Sequence, residues 1–114
     1  MIIGKEKLLE LIEKFKKIEI RDKTNIWNTE VIEALELENL LLQSLVSIES
    51  ALNRKESRGA HSRVDYKKRN DKSWLKHTMA WVNNNKKPKI RYRPVNLKTN
   101  SKEIKTIEPK VRVY

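Results

Sequence analysis

The stretch Glu30–Asn53, EVIEALELENLLLQSLVSIESALN, decides how the rest of the chain is read. Its apolar residues fall at helical spacing along two stripes. Val31, Leu35, Leu42, Leu45 and Leu52 form one stripe; Leu37, Leu41, Ser44, Ile48 and Ala51 form the other. Near its middle this helix is apolar on most sides, so it needs neighbours on both. Asn28 or Thr29 can accept a backbone N–H at its start, and Glu30 and Glu33 suit the positive end of the helix. Leu35, Leu42, Leu45 and Ile48 are the expected core positions.

Upstream, Leu8, Leu11, Ile12, Phe15 and Ile18 recur three and four apart, which predicts an amphipathic helix over Lys5–Ile18. Ile20–Asn28 reads as a connection. Downstream, residues 54–73 turn to Arg, Lys, Ser, Gly, Asp and Asn around Gly59 and read as a loop. Asp71 is placed to cap a short third helix through Trp81, with Trp74, Leu75, Thr78 and Trp81 on one face. Beyond Asn83 the pattern is extended: Ile90 and Tyr92 alternate before Pro94, which confines a strand to an edge or ends it. Lys102–Tyr114 is polar and reads as an arm that needs another surface. The expectation is a mainly α fold, two long antiparallel helices and a shorter third, followed by an extended basic arm with little β. Residues 1–83 would form the helical portion, with the basic loop at 54–73. Residues 84–114 would form the arm, packed on the same domain or on a partner.

At 114 residues the chain supports one modest core. It has no cysteine, which removes disulfides, thiolate nucleophiles and cysteine-ligated metal sites. No apolar run approaches the roughly 20 residues needed to span a bilayer, and the N-terminus lacks the pattern of a secretory signal. Charge is unevenly placed. Residues 1–53 carry 7 Lys+Arg against 10 Asp+Glu, and residues 54–114 carry 19 against 5. The basic half suits an acidic surface on nucleic acid, an anionic membrane or a partner subunit.

Candidate chemistry is sparse. His61 and His77 have no HExxH or cysteine partner, Ser57 and Ser62 lie outside any nucleophile elbow, and Gly4 and Gly59 are too isolated to form a phosphate loop. A nucleic-acid module is the rival reading, because Tyr66, Trp74, Trp81 and Tyr92 are interleaved with cations and have faces for base stacking. Against it, three of these aromatics fit helix or strand packing and no nucleic-acid motif is visible. The densest cluster is Arg54–Arg63. Glu56 among arginines, a glycine and a histidine suit a hydrogen-bonded, partly buried turn against a partner, although a solvated basic loop after a helix C-terminus is the plainer alternative.

Six segments carry a resemblance: IWN at 26–28, ALELENLL at 34–41, RKESRGAHSR at 54–63, WLKHTMAW at 74–81, IRYRPV at 90–95 and EPKVRVY at 108–114. In this order, over nearly the whole chain, they resemble the C-terminal region of the succinate dehydrogenase and fumarate reductase flavoprotein subunits. Val64, Lys67, Asn70 and Lys72 depart from the family pattern by replacing acids or a proline, which makes the loop more basic. The resemblance implies a parent enzyme that interconverts succinate and fumarate on covalently held FAD and passes electrons to an iron–sulfur subunit. Its flavin- and substrate-binding residues lie upstream and have no counterpart here, so no catalytic, cofactor or metal residue is expected in this chain.

The resemblance also implies a place against the flavin-binding segment or chain and the iron–sulfur subunit. The complex would sit at the inner membrane through its partner subunits, on the bacterial cytoplasmic or mitochondrial matrix side. The expected interface residues are Arg54, Glu56, Ser57, Arg58, His61, Arg63, Trp74, His77 and Arg93. The family domain resembles a three-helix, spectrin-like bundle whose first long helix precedes Met1 in register. The expectation is therefore an incomplete bundle, a split subunit or a fragment, with the missing helix supplied by another chain. An uncovered stripe of about 300 Å² would leave roughly 7 kcal/mol of burial unused.

Overall fold

The computed structural model describes residues 1–82, 87–101, 103–107 and 110. Two antiparallel helices, α1 (Ile2–Phe15) and α2 (Thr29–Asn53), make the longest contact between helices. Leu8, Ile12 and Phe15 repeat at helical spacing, and Ile12 and Phe15 stand against Leu41, Leu42 and Leu45 of α2. Ile12 and Leu45 are the buried apolar residues among those described. At the other end of the pair, Lys5 bridges Glu49 at 2.6 Å. There the helices approach so closely that a Cβ on Gly4 would lie 3.3 Å from Ile48 Cδ1. The first helix thus begins earlier than the expected Lys5 and ends before Ile18, which is exposed and adds no packing that would extend it.

The start of α2 follows the expected chemistry. Asn28 Oδ1 accepts from the Val31 N–H at 3.0 Å, while its Nδ2 donates to the Asp22 and Thr24 carbonyls. Glu30 turns back and accepts the Arg21 and Asp22 N–H groups at 2.9 and 2.7 Å. These bonds fix a loop in which Trp27 sits at φ 53°, a left-handed conformation uncommon for a bulky residue, with its side chain 88% exposed.

The expected third helix is not found, and the mainly α bundle is overturned with it. Only Asp71–Trp74 forms a helical turn, α3. The chain then extends as β1 (Lys76–Val82), which pairs antiparallel with β2 (Pro88–Pro94). Trp74, Thr78 and Trp81 have helical spacing, but Thr78, Trp81 and Val82 are β-branched or aromatic, and Ile90 and Tyr92 offer a partner strand. Pairing across the hairpin outweighs the local period. Pro88 and Pro94 stand at the two ends of β2, where a missing N–H is tolerated.

Both strands pack against α2. The chain therefore consists of a helical hairpin and a two-stranded sheet that share α2, and not three helices around a common core. Its Cα radius of gyration, 19.6 Å, exceeds the about 13 Å of a compact chain this long.

Of the four expected core residues, Leu45 is buried and Ile48 half-buried, but Leu35 is 59% exposed and Leu42 also faces solvent. Ile32, Leu37 and Leu40 lie bare as well. Ile32, Leu35, Leu37 and Leu40 all lie in the first half of α2 and on more than one of its faces, whereas α1 and the two strands cover its second half. The segment EPKVRVY and the arm from Lys102 lie largely outside the described residues. Within that arm, the Lys110 carbonyl accepts from Arg69 Nη1 at 2.6 Å.

Candidate functional site

The sequence after α2 folds into a knot centred on one carboxylate. Helix α2 ends at Asn53 with Arg54 already extended, so residues 54–58 leave the helix axis and double back. Gly59 takes φ 57°, a conformation glycine adopts without penalty, and closes a tight turn in which Arg58 and His61 exchange backbone hydrogen bonds at 2.8 and 3.1 Å. That turn folds the following residues back, so that the His61 backbone holds Arg58 in place beside Glu56.

Glu56 is fully buried. Its Oε1 accepts from Arg54 Nη1 at 2.6 Å and Arg58 Nε at 2.8 Å; its Oε2 accepts from Arg58 Nη2 at 3.0 Å and from the Asn70 N–H at 2.9 Å. Burial pushes this carboxyl up, but the bonds from Arg58, Asn70 and Arg54 outweigh it and hold it below the ordinary glutamate value of 4.5. The hydrogen bond to Glu56 in turn holds the Arg58 guanidinium above its usual range against the effect of burial, with Asp71 adding to it. A buried charge is tolerated when, as here, its lone pairs are filled by charged and backbone donors.

The knot reaches each element around it. Arg54 Nη1 donates to the Trp74 carbonyl at 2.9 Å, and Nη2 donates to the Lys76 carbonyl at 2.6 Å and Thr78 Oγ1 at 3.1 Å; its guanidinium also lies 5.4 Å from the Trp74 ring centre. It thereby ties the end of α2 to α3 and β1. Arg58 Nη2 reaches Asp71 Oδ1 at 2.5 Å, and Arg69 takes the other oxygen at 2.9 Å.

Arg63 Nη1 donates to the Ala51, Leu52 and Arg54 carbonyls at 3.3, 2.8 and 3.2 Å, satisfying acceptors that the last turn of α2 leaves open. Its other arms hold Asp65. Ser57 Oγ donates to the Tyr66 carbonyl at 2.7 Å and accepts the Arg63 N–H at 2.8 Å. His61 Nε2 lies 3.2 Å from the Arg54 carbonyl.

Arg54, Glu56, Ser57, Arg58, His61, Arg63 and Trp74 are therefore one constellation. His77 and Arg93 are cross-strand partners on the hairpin, and His77 also lines a recess beside the knot. Asp71 and Asn70, absent from the expected set, complete the knot. Asn70 caps α3 by accepting the Ser73 N–H at 3.1 Å while its own N–H serves Glu56, so the backbone at this non-acidic position does the work. No sequence signal marks that contact, because a backbone donor is available at any residue other than proline.

An open recess of about 650 Å³ lies against the knot, lined by Arg54, Arg58, His61, Trp74, His77 and Val95 among others. Its two arginines already hold Glu56 and Asp71, and both glycines of the chain stand alone in sequence, so these residues do not fit a dinucleotide such as FAD. Among the described residues there is no group of three or more His, Asp or Glu able to hold a metal ion, and no helix long and apolar enough to cross a membrane.

The aromatic residues weighed for base stacking are partly engaged. Trp74 and Tyr92 meet edge to face at 5.6 Å, and Lys76 Nζ lies over both rings at 4.6 and 4.2 Å. Arg63 covers Tyr66 at 4.8 Å. Nothing in this arrangement supports the nucleic-acid reading.

Residues 1–114 match the family model described as fumarate reductase flavoprotein C-term. The chain is similar to the succinate dehydrogenase flavoprotein subunit of Rickettsia bellii, 50% identical over 111 residues that are 97% of this chain and 19% of that one. It is 44% identical to the mitochondrial succinate dehydrogenase [ubiquinone] flavoprotein subunit of Oryza sativa subsp. japonica, over 90% of this chain and 16% of that protein. It is 42% identical to the fumarate reductase flavoprotein subunit of Haemophilus influenzae, over 96% of this chain and 17% of that protein. Among solved structures it resembles E. coli quinol fumarate reductase with a TM-score of 0.83 and 37% identity, over 96% of this chain and 18% of that one. The chain thus spans about a fifth of the length of the curated relatives it matches.

Proposed function

The chain belongs to the fumarate reductase flavoprotein C-terminal family, and we propose that it serves as a structural and interface domain, bracing a flavin-bearing segment or chain that carries out the succinate–fumarate redox step. One observation carries this reading: residues 1–114 match a model of the C-terminal region alone, whereas the relatives run to about five times that length.

The geometry is in keeping with that role. Glu56 and the guanidinium groups around it are committed to one another, so the knot contributes rigidity and shape. Helix α2 leaves Ile32, Leu35, Leu37 and Leu40 uncovered along its first half. FAD belongs, on this reading, to the parent flavoprotein, and the iron–sulfur subunit of the same complex is a second neighbour. Membrane association comes through partner subunits, on the bacterial cytoplasmic or mitochondrial matrix side. Arg54, Glu56, Ser57, Arg58, His61, Arg63, Trp74, His77 and Arg93 are the proposed contributors to the interface. The first seven of them act by holding the knot in shape; His77 and Arg93 act from the hairpin surface.

The test is co-expression of the chain with the flavin-bearing portion of a family flavoprotein that lacks this domain. The expected result is a one-to-one complex that retains flavin absorbance and reduces a dye with succinate. A flavin-bearing portion that is soluble and fully active alone, and that never retains the chain, overturns the proposal.

A further inference from the structure

Among the described residues after α2, the arginines fall into two groups. Those around the knot face acids: Arg54 and Arg58 hold Glu56, Arg58 and Arg69 hold Asp71, and Arg63 holds Asp65. Lys5 and Lys16 are matched on the helices by Glu49 and Glu13. The hairpin is different. Its register sets His77 opposite Arg93, Met79 opposite Arg91 and Trp81 opposite Lys89. Directly opposed residues share a face, and alternate residues along each strand do too, so these six side chains form one outward surface.

Lys89, Arg91 and Arg93 are exposed, and none has a side-chain partner among the described residues. No acid stands in the six positions. Three like charges at two-residue spacing lie about 7 Å apart and repel one another mildly unless something negative covers them.

We infer that this outward face of the β1–β2 hairpin is a docking surface for a carboxylate-lined stretch of a partner polypeptide, with Lys89, Arg91 and Arg93 meeting the acids and Trp81 and Met79 giving an apolar footing between them. The identity of the partner as another part of the flavoprotein complex rests on the reading above; the chemistry of the surface does not.

Charge complementarity selects the occupant class, and composition selects polypeptide over phosphate. Arg, Trp and Met are the residue types enriched in the buried centres of protein interfaces, whereas lysine, the usual guard of an open strand edge, appears once. Trp81 is left half bare beside these cations. The aromatic pair Trp74–Tyr92, which a stacking platform would use, is engaged with Lys76 instead. Guanidinium groups also pair with carboxylates in a two-point fork that a simple solvated face does not require.

The test compares Arg91→Glu with Arg93→Glu against Lys98→Glu with Lys105→Glu, a control that makes the same change of charge in exposed residues beyond the hairpin. In the co-expressed assembly the hairpin pair is expected to weaken association by about tenfold, while the control pair changes it by less than about threefold. Zero-length carbodiimide coupling of the wild-type assembly is expected to join Lys89 to an Asp or Glu of another chain. Equal losses from both pairs, or no coupling at Lys89, overturn the inference.

Should the wild-type chain fail to associate at all, the proposed function falls. The surface is then judged on the isolated chain with labelled poly-L-glutamate. A loss selective for the hairpin pair supports the inference, and equal losses overturn it. A larger selective loss toward single-stranded RNA or phosphatidylserine vesicles than toward poly-L-glutamate also overturns it.

Discussion

Arg58 grips Glu56 with two arms of one guanidinium, Nε on Oε1 at 2.8 Å and Nη2 on Oε2 at 3.0 Å, although the two residues are only two apart in the chain. The turn at Gly59 is not what separates them; it folds the following residues back so that the His61 backbone holds Arg58 in place. The fork is planar, and it lies against a fully buried carboxylate. Replacing Glu56 by Gln keeps the shape but leaves Arg54 and Arg58 short of a countercharge, and the expected cost is about 3–5 kcal/mol. Replacing Arg58 by Lys keeps the charge and loses the second arm, at about 1.5–3 kcal/mol. Denaturant midpoints of the three proteins check both the size and the order.

Acid should loosen the same knot. The bonds from Arg58, Asn70 and Arg54 outweigh burial and keep the Glu56 carboxyl below 4.5, and the Asp71 carboxyl is held below 3.8, first by the hydrogen bond from Arg58 and then by Arg69. Both folded-state values lie below the unfolded ones, so the unfolded chain takes up protons first. The stabilisation is whole above about pH 4.5 and is lost as pH falls through the folded values. Thermal midpoints are expected to stay level from about pH 7 to 5 and to drop below that, more weakly in Glu56→Gln.

Two residues with positive φ make opposite forecasts. A Cβ at Gly59 meets nothing within 4 Å, so Gly59→Ala costs only the backbone strain of φ 57°, about 1–2 kcal/mol. Trp27 bears that strain already at φ 53°, in a loop where its ring contacts little. Trp27→Asn, a residue that tolerates this conformation, is expected to raise stability by roughly 0.5–1 kcal/mol. Thermal unfolding of the isolated chain reads both signs, and equal signs would contradict the argument.

The bare first half of α2 predicts self-association. Leu35 and Leu40 are 59% and 63% exposed, with Ile32 and Leu37 bare in the same half of the helix, which leaves apolar surface open to a second copy. Sedimentation of the isolated chain is expected to become concentration-dependent in the micromolar range, and Leu35→Ser with Leu40→Ser is expected to remove that dependence while moving the thermal midpoint little. A monomeric wild-type chain with a sharp transition would show that surface to be harmless.

The periodic pattern at Glu30–Asn53 determined α2 by itself, and Asn28 determined where it starts, because helix period and capping depend on residues a few positions apart. The two apolar stripes also announced a helix with more oily surface than one neighbour hides. The cluster at 54–63 stood out by composition, but the identity of its centre did not. That Glu56 is buried and Arg54 binds three later carbonyl and hydroxyl oxygens depends on residues up to 24 positions away, brought there by the fold.

The segment WLKHTMAW depends on distant residues in the same way. Its spacing fits a helix and its composition fits a strand, and only the partner strand at Ile90 and Tyr92 decided between them. Local periodicity is a property of the chain, whereas strand pairing and charge burial are settled by which distant groups arrive to accept a hydrogen bond.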